Sequence, residues 1–206
     1  MSSSTRSRRP DRRRALAATL LAAALGAEPA VAQTAGAAAS ADAPAYVARY
    51  LGDGRLAGEG RLTWFGFHVY DARLYASPQF DVADPFAQPF VLELTYARKL
   101  DGKAIAESSR DEIRRLGFGD EARQRRWLAH MEKLFPNVDK GSRIAGVYQP
   151  GGAVRFYVDG TFVGSVGEPD FGRAFFSIWL DPRTRAPRLR ESLLGRSGPS
   201  AGLATR

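Results

Sequence analysis

Val154-Arg155-Phe156-Tyr157-Val158 runs directly into Asp159-Gly160 and leaves as Thr161-Phe162-Val163. Two short runs of β-branched and aromatic residues are parted by a dipeptide that accepts positive φ at both positions. That pattern predicts an antiparallel hairpin closed by a type I′ turn. The strand signal extends back to Arg143 and forward to Val166. Phe90 to Tyr96 is a second clear strand, with Val91, Glu93 and Thr95 alternating against Leu92, Leu94 and Tyr96. Arg55 to Tyr75 reads as one or two strands rich in aromatic and β-branched residues, including Thr63, Trp64, Phe65, Phe67, Val69 and Tyr70. Tyr46 to Leu51 is expected to be a first strand, closed by Gly52-Asp53-Gly54.

Helices fall between these strands. Asp101 is the expected N-cap of one that ends at Gly117. A second spans about 120 to 135, with Trp127, Met131 and Leu134 on one face and Pro136 beyond it. Its Arg123, Arg125, Arg126 and Lys133 read as a solvated face. Pro169 to Leu180 is apolar on several sides and is expected to be buried, and Arg188 to Leu194 is a short last helix ending at Gly195. Pro78 to Pro89 is a loop with three prolines. Strands, two helices, a hairpin and a helix together predict an α+β fold, an antiparallel sheet with helices on one face.

The 206 residues carry 30 Lys+Arg, 22 Asp+Glu and no cysteine, with 44% hydrophobic content. Without cysteine there is no disulfide framework, iron–sulfur cluster or thiol nucleophile. The net charge of +8 overstates the basic character, because Arg6, Arg8, Arg9, Arg12, Arg13 and Arg14 precede residue 33. Residues 33–206 hold 24 basic and 20 acidic groups, which gives little support to a nucleic-acid partner. Those arginines lead into a mild apolar run from Ala15 to Ala27, and Ala30-Val31-Ala32 offers a small-residue cleavage site. Residues 1–32 are therefore expected to be a secretory signal peptide. A twin-arginine signal and a mitochondrial transit peptide are the alternatives. The apolar run falls short of the ~20 residues that span a bilayer, so the mature chain is expected to be periplasmic or secreted, with no integral span. Residues 33–44 read as a flexible leader, 45–195 as one domain and 196–206 as a frayed tail. No internal repeat is present.

Several chemistries are excluded on pattern. No phosphate-binding loop occurs, and Gly52-x-Gly54 and Gly58-x-Gly60 lie between strands instead of opening a helix. Gly164-Ser165-Val166-Gly167 lacks the spacing of a nucleophile elbow. His68 and His130 sit in different elements, so no metal and no other cofactor is expected. Polar groups on the expected sheet remain: Arg61, Thr63, Tyr70, Tyr75, Tyr96 and Arg98. In the first helix Ile105, Ser109, Glu112 and Leu116 share a face, which places two polar groups among core positions. Ser109 and Glu112 either satisfy backbone and a neighbouring Arg, or they furnish the polar end of a sheet–helix pocket.

Four stretches resemble the bacterial chalcone isomerase-like proteins in the same order: Gly60 to Tyr75 (GRLTWFGFHVYDARLY), Phe90 to Ile105 (FVLELTYARKLDGKAI), Phe135 to Gly141 (FPNVDKG) and Ala174 to Asp181 (AFFSIWLD). The resemblance implies an open-faced β-sandwich, a large antiparallel sheet backed by helices with a cleft between the layers. Plant enzymes of this family cyclise a chalcone to a flavanone with an Arg, a Thr, a Tyr and an Asn, which together hold a developing enolate oxygen. By alignment of motifs, Tyr70 stands near the Thr position, Ile105 at the Tyr and Glu112 at the Asn, and Arg61 is the nearest candidate for the Arg. Ile105 donates no hydrogen bond, and an ionised Glu112 repels an enolate, so flavanone formation is not expected. Tyr70 is a substitution similar to that of the family's fatty-acid-binding members.

The preferred expectation is a non-catalytic exported protein that binds a small apolar or amphipathic acid, such as a fatty acid. Arg61, Tyr70, Tyr96, Ser109 and Glu112 are its candidate ligand-binding residues, with Arg61 and Tyr70 as a carboxylate clamp. The alternative is an isomerase acting on an enone, with Tyr70 and Arg61 as oxyanion donors and Glu112 as base. A third reading is an envelope scaffold whose cleft is packed shut. An open apolar cavity of ~300 Å3 or more separates the first two from the third. The oligomeric state is left open.

Overall fold

The computed structural model describes residues 43–196. The expected signal peptide and nearly all of the leader and tail lie outside the described residues. In chain order the elements are α1 (Ala45–Leu51), β1 (Arg55–Trp64), β2 (Phe67–Ala76), β3 (Phe90–Tyr96), α2 (Gly102–Leu116), α3 (Glu121–Leu134), β4 (Arg143–Tyr148), β5 (Val154–Val158), β6 (Thr161–Val166), α4 (Phe171–Leu180) and α5 (Pro187–Leu193). The six strands form one antiparallel sheet in sequential order β1 to β6. The fold is α+β, as expected.

Local chemistry accounts for most boundaries. Asp159 (φ 47°) and Gly160 (φ 85°) make the β5–β6 turn, and Phe65 (φ 48°) and Gly66 (φ 79°) make the corresponding β1–β2 turn. Asp120 caps α3 by accepting from the Arg123 backbone N–H at 2.8 Å. Asp101 occupies the N-cap of α2 without a side-chain cap bond. The Asn137 side-chain oxygen accepts from the Gly102 N–H at 3.0 Å instead, which ties the start of α2 to the segment before β4.

Period-2 alternation divides the sheet into two faces. Ala72, Leu74, Leu92, Leu94 and Phe156 point toward the large core, where they meet α2, α3, α4 and α5. Tyr75, Val91, Ala145, Val147 and Tyr157 point the other way into a smaller cluster with Tyr46, Val47 and Leu51 of α1. The stretch expected to be the first strand is thus a helix, and it covers part of the second face. Tyr46, Val47 and Leu51 are buried at i, i+1 and i+5, a spacing that suits a helical face against a sheet better than a strand. The Tyr46 hydroxyl donates to the Glu93 carboxylate under this helix, supplying a partner to an acid that is otherwise buried on β3.

The last helix sits unusually close to the sheet edge. A Cβ on Gly58 would lie 2.1 Å from the Ser192 carbonyl oxygen, so only glycine on β1 admits the α5 backbone at this distance. This seat holds the C-terminal end of α5 against β1, and the start of the same helix becomes one wall of the site.

Candidate ligand-binding site

At the end of the sheet near the β1–β2 turn, the helical layer stands off from the strands and leaves a cavity of about 1000 Å3. Its floor is sheet (Leu62, Tyr70, Leu94, Tyr96, Ile144), and its walls are α2, the end of α4 and the start of α5. Leu100, Ile105, Phe135, Phe175, Ile178, Trp179 and Leu189 make most of this surface apolar. The volume reaches the upper end of the ~300–1,000 Å3 usual for ligand sites, so the cleft is not packed shut.

Tyr70 and Tyr96 face each other across β2 and β3, with ring centroids 5.9 Å apart in an edge-on arrangement. The Trp179 indole N–H donates to the Tyr70 hydroxyl oxygen at 2.9 Å. Tyr70 therefore accepts from the protein and keeps its own proton for a ligand. Among the described residues, no side chain or backbone group is hydrogen-bonded to the Tyr96 hydroxyl. Burial pushes the pKa of both phenols well above the ordinary tyrosine value, so both stay neutral donors in this chamber.

Arg61 requires a correction. It pairs directly across the strands with Asp71, and its guanidinium meets that carboxylate at 2.8 Å. Leu62 and Tyr70, the next pair along, pack against the main core, so Arg61 and Asp71 project from the opposite face. The Arg61 side chain is 60% exposed, and it forms no clamp with Tyr70. Arg61 holds the Asp71 carboxyl below the usual carboxylate range, with His68 at 3.2 Å adding to the effect. The oxyanion pair of the isomerase reading loses Arg61 for the same reason.

Ser109 and Glu112 both border the cavity, yet each is engaged elsewhere. The Ser109 hydroxyl donates to the Ile105 carbonyl at 2.8 Å, one turn back along α2. Glu112 receives Arg115 at 2.8 Å and Arg185 at 2.9 Å, and its side chain is 19% exposed. Arg115 reaches on to the Arg183 carbonyl at 3.0 Å. Glu112 thus staples α2 to the α4–α5 connection, and two guanidinium groups occupy the carboxylate that a general base would need free. The buried stripe of α2 is Gly102, Ala106, Ser109, Ile113 and Leu116, with Ile105 and Glu112 beside it at the cavity edge.

Of the five residues singled out from sequence, Tyr70 and Tyr96 meet inside the chamber. Ser109 and Glu112 line it while serving the fold, and Arg61 reaches only its rim. Sequence reasoning missed Trp179 as a partner of Tyr70, Arg185 and Arg188 on the rim, and the aromatic turn Trp64-Phe65-Gly66-Phe67 at the mouth. A run of three large aromatics across an X-Gly turn is the one signal that pointed to that mouth.

A six-stranded antiparallel meander whose helical layer roofs an apolar chamber defines an open-faced α+β class with a pocket on the helical side. A family model described as chalcone isomerase-like matches residues 54–195, and the chain belongs to the chalcone isomerase-like family. An uncharacterised protein of Haemophilus influenzae is 27% identical over 140 residues, which make up 68% of this chain and 67% of that protein. The crystal structure of a fatty-acid binding protein of Arabidopsis thaliana has the same fold at a TM-score of 0.52 and 18% identity. It covers 68% of this chain and 86% of its own.

Proposed function

We propose that this protein is an exported, non-catalytic carrier that holds a small apolar or amphipathic acid of the fatty-acid type between its sheet and its helices. The observation that carries this reading is the open apolar cavity of about 1000 Å3 with two neutral phenols inside it. Apolar walls favour an acyl chain or a comparable hydrocarbon by removing it from water. The Tyr70 and Tyr96 hydroxyls are donors in search of an acceptor, and a carboxylate or acyl oxygen satisfies both. Arg98 and Arg188 border the cavity with no carboxylate partner among the described residues, whereas Arg61 and Arg185 are paired with Asp71 and Glu112, and the two unpaired cations draw an anionic head toward the opening. The fatty-acid binding protein that shares the fold lends this reading support by analogy alone.

The test is solvent extraction and mass spectrometry of protein purified from its exporting host, followed by calorimetric titration with a long-chain fatty acid. A stoichiometric acid in the wild type that is lost in Tyr70→Phe/Tyr96→Phe and kept in Arg61→Ala is the expected result. A wild type that neither carries nor takes up any acid refutes the carrier.

A further inference from the structure

The β1–β2 hairpin ends in Trp64, Phe65 and Phe67, which are 53%, 86% and 65% exposed. Half of the six large hydrophobic residues exposed among the described residues therefore lie within one turn. Nothing in folding accounts for them. Phe65 adopts φ 48°, a left-handed conformation that a bulky residue enters at a cost and that asparagine or glycine would supply more readily. All three residues also border the cavity, so the apolar tip is one lip of its mouth.

The charge around the tip is complementary to an anionic surface. Arg98 holds its guanidinium 5.6 Å from the centroid of the Phe67 ring, so cation and aromatic are presented together. Arg188 stands on the α5 side of the same opening. Among the described residues, neither Arg98 nor Arg188 has a carboxylate partner, whereas Asp111 and Glu112 at the rim are already held by arginines. The other exposed apolar spot, Phe162 and Val163 on β6, lies away from the cavity.

We infer that the Trp64–Phe67 turn, flanked by Arg98 and Arg188, is the foot on which this protein docks to a bilayer containing anionic lipid, with the cavity mouth set at the membrane surface. Aromatic side chains lodge at the headgroup level while arginines meet the lipid phosphates. The acyl ligand then passes between bilayer and chamber without crossing bulk water. This inference rests on the carrier reading.

The chain carries its own reporter. Of its three tryptophans, Trp127 and Trp179 are buried and Trp64 is at the tip. Full-length protein is mixed with vesicles of phosphatidylcholine alone or of phosphatidylcholine with phosphatidylglycerol, and tryptophan emission is followed beside a Trp64→Phe variant, so that the difference between the two isolates Trp64 from Trp127 and Trp179. This reads the tip itself, separately from any attraction of Arg6 to Arg14 to the same vesicles. Emission shifts to the blue with anionic vesicles, and added salt reduces the shift. Phe65→Ser/Phe67→Ser lowers the apparent vesicle affinity at least about tenfold. Arg98→Gln and Arg188→Gln each lower it about fivefold on anionic vesicles and leave neutral vesicles unaffected. A wild type that binds fatty acid in solution while Trp64 ignores every vesicle overturns the docking inference alone and assigns the tip to another partner. A wild type that docks through Trp64 yet takes up no acid sustains the docking and overturns the carrier.

Discussion

Tyr70→Phe removes one oxygen from the chamber and separates the roles assigned to it. The first consequence is structural. The Trp179 N–H, which donates to that oxygen at 2.9 Å, becomes an orphaned donor in a largely apolar wall. Such a group costs about 1–3 kcal/mol, and a domain of ~150 residues loses roughly 2–4 °C of Tm per kcal/mol. The second consequence concerns the ligand. A hydrogen bond to a charged acceptor is worth about 1.5–3 kcal/mol, so Kd for a long-chain acid rises about ten- to a hundredfold. Trp179→Phe is the companion variant, since it removes the donor and leaves the Tyr70 hydroxyl in place. It lowers Tm through the smaller ring and weakens binding less than Tyr70→Phe does. Thermal unfolding followed by circular dichroism reads the first effect and titration calorimetry the second. If Tyr70→Phe keeps Kd within about twofold of wild type, or if both variants weaken binding equally, the phenol is not the head-group donor.

Gly58→Ala places a methyl group 2.1 Å from the Ser192 carbonyl oxygen and pushes α5 off β1, so we expect a loss of at least about 2 kcal/mol in chemical denaturation together with weaker ligand binding. Glu112→Gln releases Arg185 and Arg115 from their shared carboxylate and lowers Tm, and limited proteolysis then detects a looser 181–187 connection. Asp71 has a folded pKa below its unfolded value, so its contribution is present above ~4 and is lost as pH falls through the folded pKa. Asp71→Asn accordingly flattens the acid limb of the Tm profile slightly, because the pair with Arg61 is exposed. Tyr70 and Tyr96 shift the other way. Their contribution is intact below the ordinary tyrosine pKa of ~10 and is lost as pH rises above it, which a Tm profile extended into alkaline pH reads.

Legibility in the sequence followed the range of the interactions. The β5–β6 hairpin, the strand at Phe90–Tyr96 and the ends of α2 and α3 are set by residues adjacent in the chain, and each was readable there. Tyr46–Leu51 reads either way in sequence, because six residues with two aromatic and one β-branched side chain satisfy a strand and a short helix alike. Its burial against Val91, Val147 and Tyr157, far along the chain, decides for the helix. The site divides in the same way. Tyr70 and Tyr96 were picked out as polar side chains on aromatic strands, and their pairing in register brings the rings together.

Composition and local pattern by themselves determined an α+β domain with an antiparallel sheet, the family resemblance, and phenols on the strands that became the cavity floor. Tertiary structure alone decided which of the polar residues are available to a ligand. Arg61 faces away because side chains alternate strictly along a strand, and the pairing of Leu62 with Tyr70 sets the parity. Glu112 is occupied because Arg185, 73 positions on, folds back onto it, and Tyr70 is oriented by Trp179, 109 positions away. The cavity is likewise a gap between layers whose spacing is set where α5 rests on Gly58. Contacts of that separation leave no periodicity in the chain, so they become visible only once the layers have packed.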